Sequence, residues 1–220
     1  MRNLIISVLL TAASSYAGTV LYDNSANDTT YTDGFAVNGL VEAGDQITLA
    51  NGLGGLVTDA TTALYNSASV GGSADVTLRL YSLGVGNVLG PQLVASTLSG
   101  RIFSAHTVTY LDFAGLNTNV AGTLVWTLAY STSDAIAPEL LDFDAPTVGS
   151  SDNTTVWWDT GAGLALATPG FDTENYYLTL DGTAAPEPGA LMLLSIGLGM
   201  LGLLGRRGAG LYRTSCKVRG

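Results

Sequence analysis

The chain has 220 residues, of which 18 are acidic and 8 basic, with a single cysteine and a single histidine. So acidic a balance repels nucleic acid and other polyanions, and one cysteine with one histidine leaves no material for a disulfide scaffold or a zinc cluster.

The first residues have the order of an export leader: Arg2 as a positive start, an apolar stretch from Leu4 to Ala13, and Ser15-Tyr16-Ala17 as a small-x-small cleavage site. The expectation is a signal peptide over residues 1–17 and a mature start at Gly18. The body that follows, 18–185, has 168 residues, within the usual size of one domain. It holds 17 of the 18 acidic residues and only Arg79 and Arg101 as basic ones, a formal charge of −15 without a single lysine. Cys216 lies beyond the body, which must therefore be stable through its core alone.

Short alternating runs separated by Gly, Asn and Asp predict an all-β body, a single β-sandwich with jelly-roll-like or immunoglobulin-like connections. The strands expected in chain order are Thr19 to Asp23, Gln46 to Ala50, Asp75 to Leu83, Gln92 to Leu98, Thr107 to Phe113, Gly122 to Ser131, Thr155 to Asp159 and Asn175 to Asp181. Val76, Leu78 and Leu80 alternate with Thr77, Arg79 and Tyr81, so the first set faces the core. Leu124, Trp126 and Leu128 form a second stripe, and the mild apolarity of Val125 and Ala129 between them marks a central strand covered on both sides, with Trp126 in the core. Gly84 to Pro91 reads as the turn of a hairpin.

Chemistry-bearing residues are few in the body. His106 is its only histidine, and G-x-S-x-G, lysine and cysteine are all missing from it. Asp142 and Asp144 alternate onto one side of a strand, a pair that would serve a carboxylate-dependent glycoside hydrolase or, with Glu139, Asp152 and Asp159 nearby in sequence, a Ca²⁺ site. No other cofactor is indicated. The doublets Trp157-Trp158 and Tyr176-Tyr177 must split across a sheet. Trp157 travels with Thr155 and Asp159, and Tyr177 with Asn175, Thr179 and Asp181, so these two are the outward members. Their rings are the glycan contacts expected if the body binds sugar. Gly197, Gly199 and Gly202 spell G-x-G-x-x-G, but inside an apolar run they lack the strand and helix start that a dinucleotide site needs.

The C-terminal end carries three elements in order: Pro186-Glu187-Pro188, the uncharged run Gly189 to Gly205, and Arg206-Arg207. As a helix the run of 17 residues would be about 25 Å long, at the short end of what spans a bilayer core. The basic residues after it, through the tail 208–220, would hold that end in the cytoplasm. This segment, 186–207, resembles the PEP-CTERM sorting signal of Gram-negative bacteria, whose tail is also labelled an ice-binding protein C-terminal domain. The resemblance implies recognition by exosortase and association with exopolysaccharide; it implies no ice binding. The expected itinerary is a precursor anchored in the cytoplasmic membrane with its body in the periplasm, then release to the cell envelope or extracellular matrix. The expected function is structural or adhesive, with a carbohydrate-binding module and a glycoside hydrolase as alternatives.

Overall fold

The structure, a computed structural model, describes residues 19–26, 28–34, 41–50, 52–143, 145–167 and 175–185. All of them belong to one unit that ends at Ala185. In chain order the strands are β1 (Thr19–Asp23), β2 (Asp28–Gly34), β3 (Glu42–Thr48), β4 (Gly55–Asn66), β5 (Gly72–Gly84), β6 (Val88–Phe103), β7 (Val108–Val120), β8 (Thr123–Ser131), β9 (Pro138–Phe143), β10 (Ser150–Asp159), β11 (Ala165–Leu166), β12 (Asn175–Tyr176) and β13 (Leu178–Ala184). They form two sheets, one of seven strands running β1-β13-β4-β9-β12 with β2 on β9 and β7 on β4, the other of six running β11-β10-β3-β8-β5-β6. Every pairing is antiparallel.

The body is therefore all-β, as its alternating pattern predicts. Only β5–β6 and β10–β11 pair strands that are neighbours in sequence; β3, β4, β5, β7, β8, β9, β10 and β12 each follow a strand of the other sheet. The two sheets bury a common core: Leu64, Leu111, Phe113 and Leu180 from the seven-stranded sheet meet Ile47, Leu78, Leu80, Trp126 and Leu128 from the six-stranded one. Each large apolar side chain so enclosed contributes about 1.5–3 kcal/mol relative to exposure, which is what holds together a domain without disulfides.

β5 follows its alternation, with Val76, Leu78 and Leu80 fully buried and Thr77, Arg79 and Tyr81 on the other face. β8 lies between β3 and β5, and its Val125 and Thr127, which face away from the core, are as inaccessible as Trp126. The strand is covered on both sides, as its sequence predicts. β3 passes so close to β8 at Gly44 that a Cβ there would lie 1.9 Å from the Trp126 carbonyl oxygen, so only glycine fits. The β5–β6 hairpin turns at Val85, Gly86 and Asn87, narrower than the expected Gly84 to Pro91, with positive φ at Gly86 and Asn87. Pro91 falls inside β6, where the edge position tolerates its missing N–H.

Asn66, fully buried at the end of β4, ties three loops together. Its Nδ2 donates to the carbonyls of Val70 (2.9 Å) and Ser104 (3.1 Å), and its Oδ1 accepts from the amides of Ala68 (3.2 Å) and Ala137 (3.0 Å). The sequence Asn175 to Asp181 is not one strand: it breaks at Tyr177 into β12, which pairs with β9, and β13, which pairs with β4. β2, β4, β9 and β11 are strands that the sequence pattern does not announce.

Candidate functional site

The break at Tyr177 builds the outer face of the seven-stranded sheet. Asn24, buried beside it, donates from Nδ2 to the carbonyls of Asn175 (2.9 Å) and Tyr176 (3.3 Å). The amide of Asn175 donates to Asp142 Oδ1 at 2.8 Å. Tyr177 itself is clamped at both ends of its backbone, its N–H on the Leu141 carbonyl (2.9 Å) and its carbonyl accepting from Thr62 Oγ1 (2.7 Å). Tyr176 then points into the core while Tyr177 points out, where its ring meets Phe143 (centroids 5.1 Å) and Tyr110 (5.7 Å) edge to face. Tyr110 stands on β7 opposite Ala63 of β4 and is 57% exposed.

The neighbouring row of the same face is polar. Asp23, Thr179, Thr61 and Asp112 are successive register partners across β1, β13, β4 and β7, with Thr61 Oγ1 donating to Asp112 Oδ1 at 2.9 Å. One register step further, Asp181 pairs with Asp59. Rows two residues apart on a strand lie about 7 Å from each other. Burial, the nearby Tyr110 phenol and the carboxylates of Asp23 and Asp112 together raise the Tyr177 hydroxyl above its ordinary pKa. The site is thus an aromatic row beside an acidic one.

The outer face of the six-stranded sheet is different. Glu42 accepts from Tyr81 Oη at 2.9 Å and makes close contacts with Arg79 Nη1 and Thr127 Oγ1, so three strands converge on one carboxylate. Desolvation and the adjacent Glu42 push the Tyr81 hydroxyl up to about 12. Trp157 of β10 lies on this face opposite Gly44, and it is only 3% exposed. Gln46, Thr127 and Thr155 on the same face are buried too, and Gln46 Oε1 and Trp157 Nε1 have no hydrogen-bond partner.

These placements correct one expectation. Trp157 does face away from the inter-sheet core and Trp158 packs against it, as their parity predicts. Yet Trp157 is buried, so it is no exposed stacking residue; alternation decides the face and not what covers it. Trp157 and Tyr177 also belong to different sheets and cannot line one groove. Tyr177 is partly exposed and has the aromatic neighbours that a contact surface needs. Asp142 is held by the β12 amide, whereas Asp144 lies outside the described residues. No group of three His, Cys, Asp or Glu among the described residues is placed to hold a metal ion. His106 is exposed in the β6–β7 turn with φ of 51°. The expected leader over 1–17, Pro186, Glu187, Pro188, the apolar run, Arg206 and Arg207 all lie outside the described residues, among which no helix is long and apolar enough to cross a membrane. Tyr110 and the Glu42 cluster went unanticipated, since each depends on pairings between distant strands.

No family model matches the chain, and no curated relative does. Among solved structures it is similar to the T13 viral particle of IBDV, at 10% identity over 86% of this chain and 48% of that one, with a TM-score of 0.30. It is also similar to the structure of the infectious bursal disease virus Gx strain, at 11% identity over 86% and 49% with a TM-score of 0.33. A CocE/NonD family hydrolase from Staphylococcus aureus gives 8% identity over 78% and 35%, again with a TM-score of 0.33. The chain spans about half or less of the length of each, and likenesses this distant assign no activity.

Proposed function

We propose that the protein is an exported structural or adhesive component of the cell envelope or extracellular matrix, delivered by an exosortase that reads Pro186-Glu187-Pro188, and that its body contacts exopolysaccharide. The observation that carries the adhesive reading is the aromatic row on this outer face, Tyr110 exposed and Tyr177 partly so, beside the polar row of Asp23, Thr179, Thr61 and Asp112. Rigid aromatic rings presented by strands offer apolar surface to the C–H face of a sugar, while hydroxyls and carboxylates alongside accept its O–H groups. The frequent crossing of the chain between sheets favours jelly-roll-like connections for this sandwich. The sorting reading rests on the C-terminal sequence pattern.

Two measurements test the proposal. A glycan array probed with the full-length chain should show binding that Tyr110→Ala and Tyr177→Ala both weaken; binding unaffected by either variant overturns the assigned face. In a host with exosortase, Glu187→Ala should leave unprocessed precursor in the cytoplasmic membrane. Mature protein ending at Gly220 in wild-type matrix would contradict processing.

A further inference from the structure

The acidic row beside the aromatic one decides which sugars that face can take. Glycans that stack on tyrosine divide by charge into anionic polymers, neutral ones, and those carrying free amines. Around Tyr177 and Tyr110 the face presents Asp23, Asp112, Asp59 and Asp181. Among the described residues the arginine in contact with this row is Arg101 of the edge strand β6, whose Nη2 donates to the Tyr110 carbonyl at 3.5 Å. The body's other arginine, Arg79, is engaged by Glu42 on the opposite sheet. Four carboxylates against one guanidinium leave a negative field over the rings, which opposes a uronic acid or a sulfated sugar.

A protonated amine meets the reverse conditions. A pyranose lying on Tyr177 or Tyr110 has its equatorial substituents some way off the ring edge, and the acidic row is about 7 Å away across the pleat. An ammonium on such a substituent comes within reach of Asp112 or Asp23, and the tyrosine faces attract it as well. Both carboxylates have oxygens engaged within the protein, Asp112 by Thr61 and Asp23 by Ser25, which holds them in place for a ligand. We propose that the outer face of the seven-stranded sheet selects polysaccharide bearing free amino groups, such as de-N-acetylated glucosamine polymer, over neutral and anionic glycans.

This inference rests on the polysaccharide-binding reading and sharpens it. The test uses the full-length chain and three soluble probes: a glucosamine oligomer, its fully N-acetylated counterpart and an alginate oligomer. Affinities are measured by calorimetry at about pH 5.5, which keeps the sugar amines protonated. The glucosamine oligomer should bind at least about tenfold more tightly than the N-acetylated one and lose most of that advantage in 1 M salt, where screening acts within about 3 Å. Asp23→Asn combined with Asp112→Asn should collapse the preference, weakening the glucosamine oligomer far more than the N-acetylated probe. Tyr177→Ala should weaken both probes. Equal affinity for the amine and N-acetyl forms, or a preference that survives the double Asn variant, overturns the charge selection but leaves polysaccharide binding standing. Tighter binding of alginate than of the glucosamine oligomer also overturns it. Failure of all three probes to bind counts against both.

Discussion

The outer faces of the two sheets have similar ingredients, aromatic rings among carboxylates and hydroxyls, and put them to opposite uses. On the six-stranded sheet the carboxylate of Glu42 is consumed by Arg79, Tyr81 and Thr127, and Trp157 beside it is buried. On the seven-stranded sheet Asp112 accepts from Thr61 at the surface and Tyr110 stands 57% exposed. Composition alone does not separate a structural cluster from a contact surface; saturation of the hydrogen bonds and access to solvent do.

The widest gap between the faces should appear on truncation of their aromatics. Trp157→Ala removes a large buried side chain and should cost about 3–5 kcal/mol, as much as Trp126→Ala in the core. Chemical denaturation checks this, and a cost below about 1 kcal/mol would mean that Trp157 is less enclosed than its 3% exposure indicates. Trp157→Phe should do far less harm, because losing the partnerless Nε1–H offsets part of the lost volume.

Glu42→Ala comes next. It strands the guanidinium of Arg79 and the buried hydroxyl of Thr127, for an expected loss of about 2–3 kcal/mol by the same denaturation measurement. The equivalent carboxylate change on the other face, Asp112→Asn, should stay within about 0.5 kcal/mol because the residue is exposed.

Alkaline pH offers a smaller effect. The Tyr81 hydroxyl has its folded pKa raised from 10.0 to about 12, so the folded protein holds this proton where the unfolded chain releases it. Its contribution to stability is complete below about pH 10 and is lost as pH rises through about 12. Denaturation midpoints across that window should fall less steeply in Tyr81→Phe than in wild type; parallel slopes would remove Tyr81 as a cause.

Tyr110→Ala should likewise change stability by no more than about 0.5 kcal/mol, since the residue is 57% exposed. A large loss of melting temperature there would make Tyr110 a support for Phe143 and Tyr177 rather than a contact residue.

Alternation along single strands was enough to assign Trp126 to the core, Trp158 and Tyr176 to the inner side, and Trp157 and Tyr177 to the outer side, because successive side chains on a pleated strand must take opposite faces. It was also enough to mark β8 as covered on both sides. It did not reveal β4, whose Gly55–Asn66 run relies on Ala60, Thr62 and Ala63; small side chains carry little periodic signal, and the strand is stabilised by β13 and β7 on its flanks. Only the tertiary structure decided which sheet each strand joins. That choice put Trp157 under cover beside Glu42, and it brought Tyr110 across β4 to Tyr177, because the cover over a face and the neighbour across a sheet come from strands far away in the chain.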